Sequence, residues 1–239
     1  MADIQLITFD LDNTLWDVGT VIRHAESTMQ NWLDETVPEY RSLMTPEMRD
    51  EIRHAVVREE PGLAHDVSRL REAVLYEGMR RLGMPDAAAR EQAREAFRIF
   101  FEARQQVVFF EHAIETLARL AERYQLAALT NGNAHIGRIG LDRFFSFAFA
   151  SADVSASKPA PDIFHAALDR AGVRAYESIH IGDHLVDDIH GAGSVGMHTI
   201  WVNLQSDGNS QGTETHTQPT EVVDCLSQLP DAVQRIQDG

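Results

Sequence analysis

Cysteine is nearly missing from this chain: of 239 residues only Cys225 carries a thiol, so no intrachain disulfide can form. That excludes a disulfide-stapled scaffold and points to a reducing, cytoplasmic setting. Long apolar runs are missing as well. No stretch reaches the roughly 18 apolar residues of a membrane span. The first apolar run has no basic region before it and is broken early by Asp10, which argues against a signal peptide. Positive charge is scarce: 21 Lys and Arg stand against 37 Asp and Glu, a formal net charge of −16. Nucleic acid and anionic membrane, both bound through surplus Lys and Arg, are therefore not expected as partners. A small anionic substrate stays open, because a metal ion and a few cations can override the global sign locally.

What is present is ordinary globular composition, 44% apolar and 24% charged, in a chain long enough to bury a substantial core. Strand-like runs fall at Ile4–Phe9, Gln125–Thr130, Phe147–Ser151, Ser178–Gly182 and His198–Val202, with a short one at Glu221–Val223. Helical patterns separate the later runs, such as Pro161–Ala171, stopped by Gly172, and a final helix from about Leu226. Short apolar strands alternating with helices predict an α/β fold, a Rossmann-like parallel sheet with helices on both faces. Between the first two runs lies a long segment without a strand signal. It reads as four helices: one with Ile22, Ala25, Met29, Trp32 and Leu33 on one face; one capped by Thr45 with Pro46 in its first turn; one from Asp66 to Gly83; one over Asp86–Ala103. The expected organisation is a core of residues 1–16 and 106–239 with an inserted all-helical domain at 17–105. The polar segment Gln205–Thr220 is expected to be a surface loop.

The first run raises a physical question. It reads LITFDLDNTLW from Leu6 to Trp16, with Asp10 and Asp12 two residues apart. On an extended backbone both side chains point the same way. Two carboxylates about 4 Å apart repel by roughly 4 kcal/mol at an effective dielectric near 20. A cation, or protons moved during chemistry, would justify that cost. Ligands of parallel sheets bind beyond the carboxyl ends of the strands. There this sequence places Asp10, Asp12 and Thr14 after the first strand, Thr130, Asn131 and Gly132 after the second, Lys158 after the third, and Asp183, Asp187 and Asp188 after the fourth.

In this order, DLDNT, TNG, a lysine before proline and GDxxxxD resemble the four signature motifs of the haloacid dehalogenase superfamily, and the helical insert resembles its C1-type cap. The resemblance implies a phosphatase with Asp10 as nucleophile and Asp12 as general acid and base. It implies Mg2+ held by the Asp10 carboxylate, the Asp12 carbonyl and Asp183. Thr130 and the Asn131 amide would hold phosphoryl oxygens together with Lys158. Asp188, and less directly Asp187, would orient Lys158 or the metal's water. Dehalogenases of the superfamily lack the second acid, so Asp12 favours phosphoryl transfer; a mutase uses the same pair and stays open. A phosphonate hydrolase would need a lysine in the insert, and the segment 17–106 has none. The cap is similar to that of bacterial phosphatases acting on flavin mononucleotide and on a ribitylaminouracil phosphate. Within it, His65, Asp66, Arg69 and Arg71 cluster near an expected turn. The implied partner is a small phosphorylated metabolite, the protein a monomer or homodimer.

Other signals carry less. Gly191, Gly193 and Gly196 fit a dinucleotide-binding pattern, but they do not directly follow a strand. His184 is expected to pack or lie at the surface rather than act, and Trp16 either to line the mouth of the site or to pack against the cap.

Overall fold

In a computed structural model, residues 3–204 and 218–239 are described. Most of the segment expected to be a polar loop, residues 205–217, lies outside them. Six strands form one sheet: β1 (Leu6–Phe9), β2 (Gln125–Thr130), β3 (Phe147–Ala150), β4 (Ser178–Gly182), β5 (His198–Val202) and β6 (Glu221–Val223). Their order is β3-β2-β1-β4-β5-β6, and every pairing is parallel. The chain builds outward from β1 to β3 on one side, then returns to build β4 to β6 on the other. Strand order therefore reverses beside β1, and a crevice opens there at the carboxyl edge.

The sheet explains its own sequence. All residues of β1 and β4 are buried, as expected for strands covered on both faces. On one face Leu6, Ala127 and Leu129 pack against Ile163, Phe164, Ala167 and Leu168 of the helix Asp162–Ala171. That helix ends at Gly172, whose φ of 71° lies in the left-handed region where glycine costs least. Two strand ends differ from the sequence reading. β1 starts at Leu6, not Ile4, and β3 stops at Ala150, where Asp153 accepts a hydrogen bond from the Ala150 N–H at 2.7 Å and turns the chain into a short helix. The last helix starts at Leu229, after a separate turn at Leu226–Gln228.

The chain divides into two compact units, Met1–Asp17 with Val108–Gly239, and Val18–Val107. The second unit is all helical: α1 (Val18–Thr36), α2 (Glu39–Leu43), α3 (Pro46–Glu59), α4 (Val67–Arg81) and α5 (Asp86–Arg104). Its core gathers Ala25, Met29 and Leu33 of α1, Leu75 and Met79 of α4, and Ala96 and Phe100 of α5. Thr45 caps α3 by accepting from the Met48 N–H, and Asp66 caps α4 by accepting from Ser68 and Arg69. The short α2 and the tight turn Pro61–His65 gave no periodic signal, because each is too brief to show one.

Gly78 of α4 is a packing site. A Cβ there would lie 2.9 Å from Tyr40 Cε2 and 3.0 Å from Met44 Sδ. Alanine gains up to about 1 kcal/mol in helix propensity, but overpacking costs about 1–3 kcal/mol. Gly78→Ala is expected to lower the urea midpoint of unfolding. A raised midpoint would show that the Tyr40 ring gives way.

Candidate active site

The site starts where β1 ends. The Asp10 N–H still donates to Ile181 O of β4 at 2.9 Å, so its backbone belongs to the sheet. The chain then turns sharply: Asn13 takes a left-handed φ of 62° and donates to Trp16 O at 2.8 Å. Trp16 is wholly buried, and its indole N–H donates to Asp12 Oδ1 at 2.8 Å. The Asp12 carboxylate is thereby fixed by Trp16, while Asp10 stands among other charges; both acids line the same cavity.

Those charges come from distant strand ends. Lys158 Nζ donates to Asp10 Oδ1 at 2.7 Å, Asp188 Oδ1 at 2.7 Å and Leu129 O at 2.9 Å. All three ammonium donors are used, and its side chain is 2% exposed. Thr14 Oγ1 lies 3.2 Å from Asp10 Oδ2 and 3.3 Å from Asp183 Oδ1, between the two acids. Asp183 is held from behind by Trp201, whose indole N–H donates to its carbonyl at 2.8 Å. After Asp183 the chain makes a single wide turn, Leu185–His190, which brings Asp188 back under β4. There Asp188 Oδ2 accepts from the His184 N–H at 3.0 Å.

Asn131 and Asp187 lie beside the lysine. The Asn131 side chain brackets the Lys158 backbone: Oδ1 accepts from Lys158 N at 2.8 Å and Nδ2 donates to Lys158 O at 3.0 Å. It positions the lysine. Asp187 meets Asn131 Nδ2 at 3.4 Å and stays outside the lysine's contacts. Thr130 is buried at the end of β2, where its hydroxyl accepts from the Gly132 N–H at 2.9 Å. An accepting hydroxyl keeps its own proton to donate. Asp10, Thr130, Lys158 and Asp183 line one cavity of about 190 Å3.

Sequence reading missed His180 and Thr8. His180 sits fully buried in β4, with Nε2 3.1 Å from Asp188 Oδ1 and Nδ1 2.8 Å from Thr8 Oγ1. A carboxylate only accepts, so Nε2 carries the proton and Nδ1 receives the Thr8 hydroxyl. Burial holds the ring's pKa below its ordinary value, against the pull of Asp188. The available signal was a polar ring in an otherwise apolar strand, SIHIG. Gly182 is a third missed position, since a Cβ there would lie 2.3 Å from Asp188 Cγ.

The electrostatics follow from burial. Desolvation raises the pKa of Asp10, opposed by Lys158 and reinforced by Asp188 and Asp183. Burial, then Asp188, pushes Asp183 up to about 6. Burial also works against charge on Asp188, but Lys158 and His180 outweigh it and hold its pKa low. Asp10, Asp183 and Asp188 can each offer an oxygen within 4.8 Å of the others. One lysine cannot balance three carboxylates. The surplus negative charge and the all-oxygen donor set fit a hard divalent cation. The Asp12 carboxylate is not part of that group.

A family model for haloacid dehalogenase-like hydrolases matches residues 4–196. The chain belongs to that family. It is 30% identical over 229 residues, covering 96% of both chains, to the 5-amino-6-(5-phospho-D-ribitylamino)uracil phosphatase YigB of Escherichia coli K12. It is 27% identical over 241 residues, 95% of this chain and 98% of the other, to a ribulose-1,5-bisphosphate 5-phosphatase of Halopiger xanaduensis. Among solved structures, a 2-haloacid dehalogenase from Pseudomonas syringae pv. Tomato DC3000 superposes with a TM-score of 0.92 at 38% identity, over 97% of this chain and 99% of that one. Among the described residues of this hydrolase, no helix is long and apolar enough to cross a membrane.

Two outcomes follow from this charge balance. Lys158→Met is expected to cost about 3–5 kcal/mol at neutral pH, because it leaves buried carboxylates uncompensated. The pKa of Asp10 then rises further above its unfolded value and that of Asp188 loses the pull that holds it low, so the folded state binds extra protons. The deficit therefore shrinks as pH falls toward 5, and urea titrations at several pH values check this; a pH-independent deficit would contradict it. In the unaltered protein, Asp183 titrates near 6 in the folded state against 3.8 when unfolded. Mg2+ is expected to raise the melting temperature above pH 6 and to lose that effect as protons occupy Asp183 below it.

Proposed function

We propose that this hydrolase is a Mg2+-dependent phosphatase that cleaves a small phosphomonoester through an aspartyl-phosphate on Asp10. The observation that carries the reading is the buried Lys158 bridging Asp10 and Asp188 beside Asp183. A nucleophilic carboxylate must stay ionised in a buried site while an anion approaches it. Lys158 serves both needs, since it stabilises the Asp10 charge and the charge on the transferring group.

The residues divide the work. Asp10 attacks phosphorus; its O–P bond forms as the ester O–P bond breaks. Asp12, oriented by Trp16, gives its proton to the leaving oxygen. It then takes a proton from the water that attacks the phosphoenzyme, and inorganic phosphate departs with Asp10 regenerated. Thr130 donates to a phosphoryl oxygen. Asp10, Asp183 and the Asp12 carbonyl would hold Mg2+, with Asp188 orienting Lys158 beside it. When bound, the ion offsets the clustered negative charge and the charge of the phosphoryl group. The name of the Escherichia coli relative and the similarity of the cap support flavin mononucleotide or a riboflavin-pathway phosphate as substrate. The helical unit Val18–Val107 is proposed as the cap. The net charge of −16 fits a reaction on a dissolved metabolite in the cytoplasm rather than on nucleic acid.

The Pseudomonas syringae structure favours a second reading, 2-haloacid dehalogenation. That reaction gives Asp12 no alkoxide to protonate and needs no cation. Phosphate release from p-nitrophenyl phosphate is expected to vanish with EDTA and with Asp10→Asn. Asp12→Asn is expected to slow turnover by roughly 100-fold or more while leaving the fold intact. Unchanged turnover in Asp12→Asn, or chloride release from 2-chloropropionate in EDTA, would replace this reading with the second.

A further inference from the structure

The cavity over Asp10, about 190 Å3, takes a phosphoryl group but not a whole metabolite. A second cavity of about 750 Å3 adjoins it within the same unit. The two share Asn13, Asp183 and His184 as walls. From there the larger one runs along the carboxyl edge of the sheet, past Asn203 after β5 to Asp224 after β6. It is therefore a continuation of the same crevice, and its volume lies in the range of about 300–1,000 Å3 that holds small ligands.

Its lining is uneven. Leu185, Trp201 and Leu226 supply apolar surface. The Trp201 ring is fixed by its hydrogen bond to the Asp183 carbonyl, so a planar face stands at a set place beside the phosphoryl cavity. Asp17, Glu111 and Asp224 are exposed carboxylates on the same lining. Neither Lys nor Arg is among its described residues.

We propose that this cavity is the leaving-group subsite, taking an uncharged ring-bearing or polyhydroxy head and rejecting one with a second phosphate or a carboxylate. The assignment rests on the phosphatase reading, which fixes the phosphoryl end of the substrate at Asp10. A rigid indole face and aliphatic neighbours favour flat, weakly hydrated rings. The amides of Asn13 and Asn203 can pair with hydroxyls or ring carbonyls. A second phosphate would shed water without a cation to meet it and would face three like charges. By this argument the chain disfavours ribulose-1,5-bisphosphate, although one relative is named for it.

Cys225 provides the test. It is the sole thiol of the chain, it lines this cavity, and its Sγ is 3.1 Å from Ser227 Oγ. Alkylation of Cys225 by iodoacetamide would be timed in the full-length Asp10→Asn protein with Mg2+, which binds without turnover. Flavin mononucleotide or p-nitrophenyl phosphate at saturation is expected to slow labelling roughly ten-fold. Inorganic phosphate, and ribulose-1,5-bisphosphate at the same concentration, are expected to leave the rate within about two-fold. In the unaltered enzyme, kcat/KM for the better neutral-headed ester should exceed that for the bisphosphate by roughly ten-fold or more. Glu111→Gln combined with Asp224→Asn should narrow that ratio. Protection by neither neutral-headed compound, or equal protection and turnover with the bisphosphate, overturns the subsite. If no ester is hydrolysed but a neutral-headed compound still protects Cys225, the subsite stands as a binding site and the catalytic reading fails.

Discussion

A buried ammonium between two buried carboxylates is the constraint on which this site depends. Lys158 is the only lysine of the chain; every other permanent cation is an arginine. Its three hydrogen bonds point to three separate acceptors, Asp10, Asp188 and Leu129 O. A compact ammonium suits that arrangement, whereas a planar guanidinium suits paired oxygens. Burial works against charge on every member. The set survives because each charge meets an opposite one at hydrogen-bond distance and each remaining polar atom has a partner. Thr14 meets Asp10 Oδ2, the His184 N–H meets Asp188 Oδ2, and Leu129 O takes the third lysine proton. Asn131 holds the lysine through its backbone, and His180, backed by Thr8, holds it through Asp188.

Topology brings these groups together. Asp10, Thr130 and Asp183 stand at the carboxyl ends of three adjacent strands, β1, β2 and β4, at the place where strand order reverses. The insertion of a whole helical unit between β1 and β2 does not disturb their pairing, which runs from Leu6 opposite Gln125 to Phe9 opposite Ala128. Closing a longer connection adds only slowly to the entropic cost, and a unit with its own core restrains the connection further. The same edge, followed outward over β5 and β6, meets the apolar and acidic surfaces of the larger cavity.

Much of the fold was legible because its signals are local. β2, β4, β5 and β6 were readable to the residue as apolar runs, and the Thr45 and Asp66 caps as side chains that satisfy helix N–H groups. The short helices α2 and Pro61–His65 were not legible, because a turn or two of helix shows no period. The identities of Asp10, Lys158, Asp183 and Asp188 were legible from order and spacing. Their pairing was only partly so. The i, i+2 argument set Asp10 against Asp12 alone, yet the Asp10 pKa is raised by burial and then by Asp188 and Asp183, residues distant in sequence.

By itself the sequence determined a parallel α/β sheet with an inserted helical segment, and which residues stand at the strand ends. Those follow from hydrophobic period and turn chemistry, which act between near neighbours. Tertiary structure alone decided that Asn131 braces the lysine's backbone, and that His180 and Thr8 belong to the site. Each depends on which atoms lie within about 3 Å after the strands pair, because hydrogen bonds and buried charges act at that range.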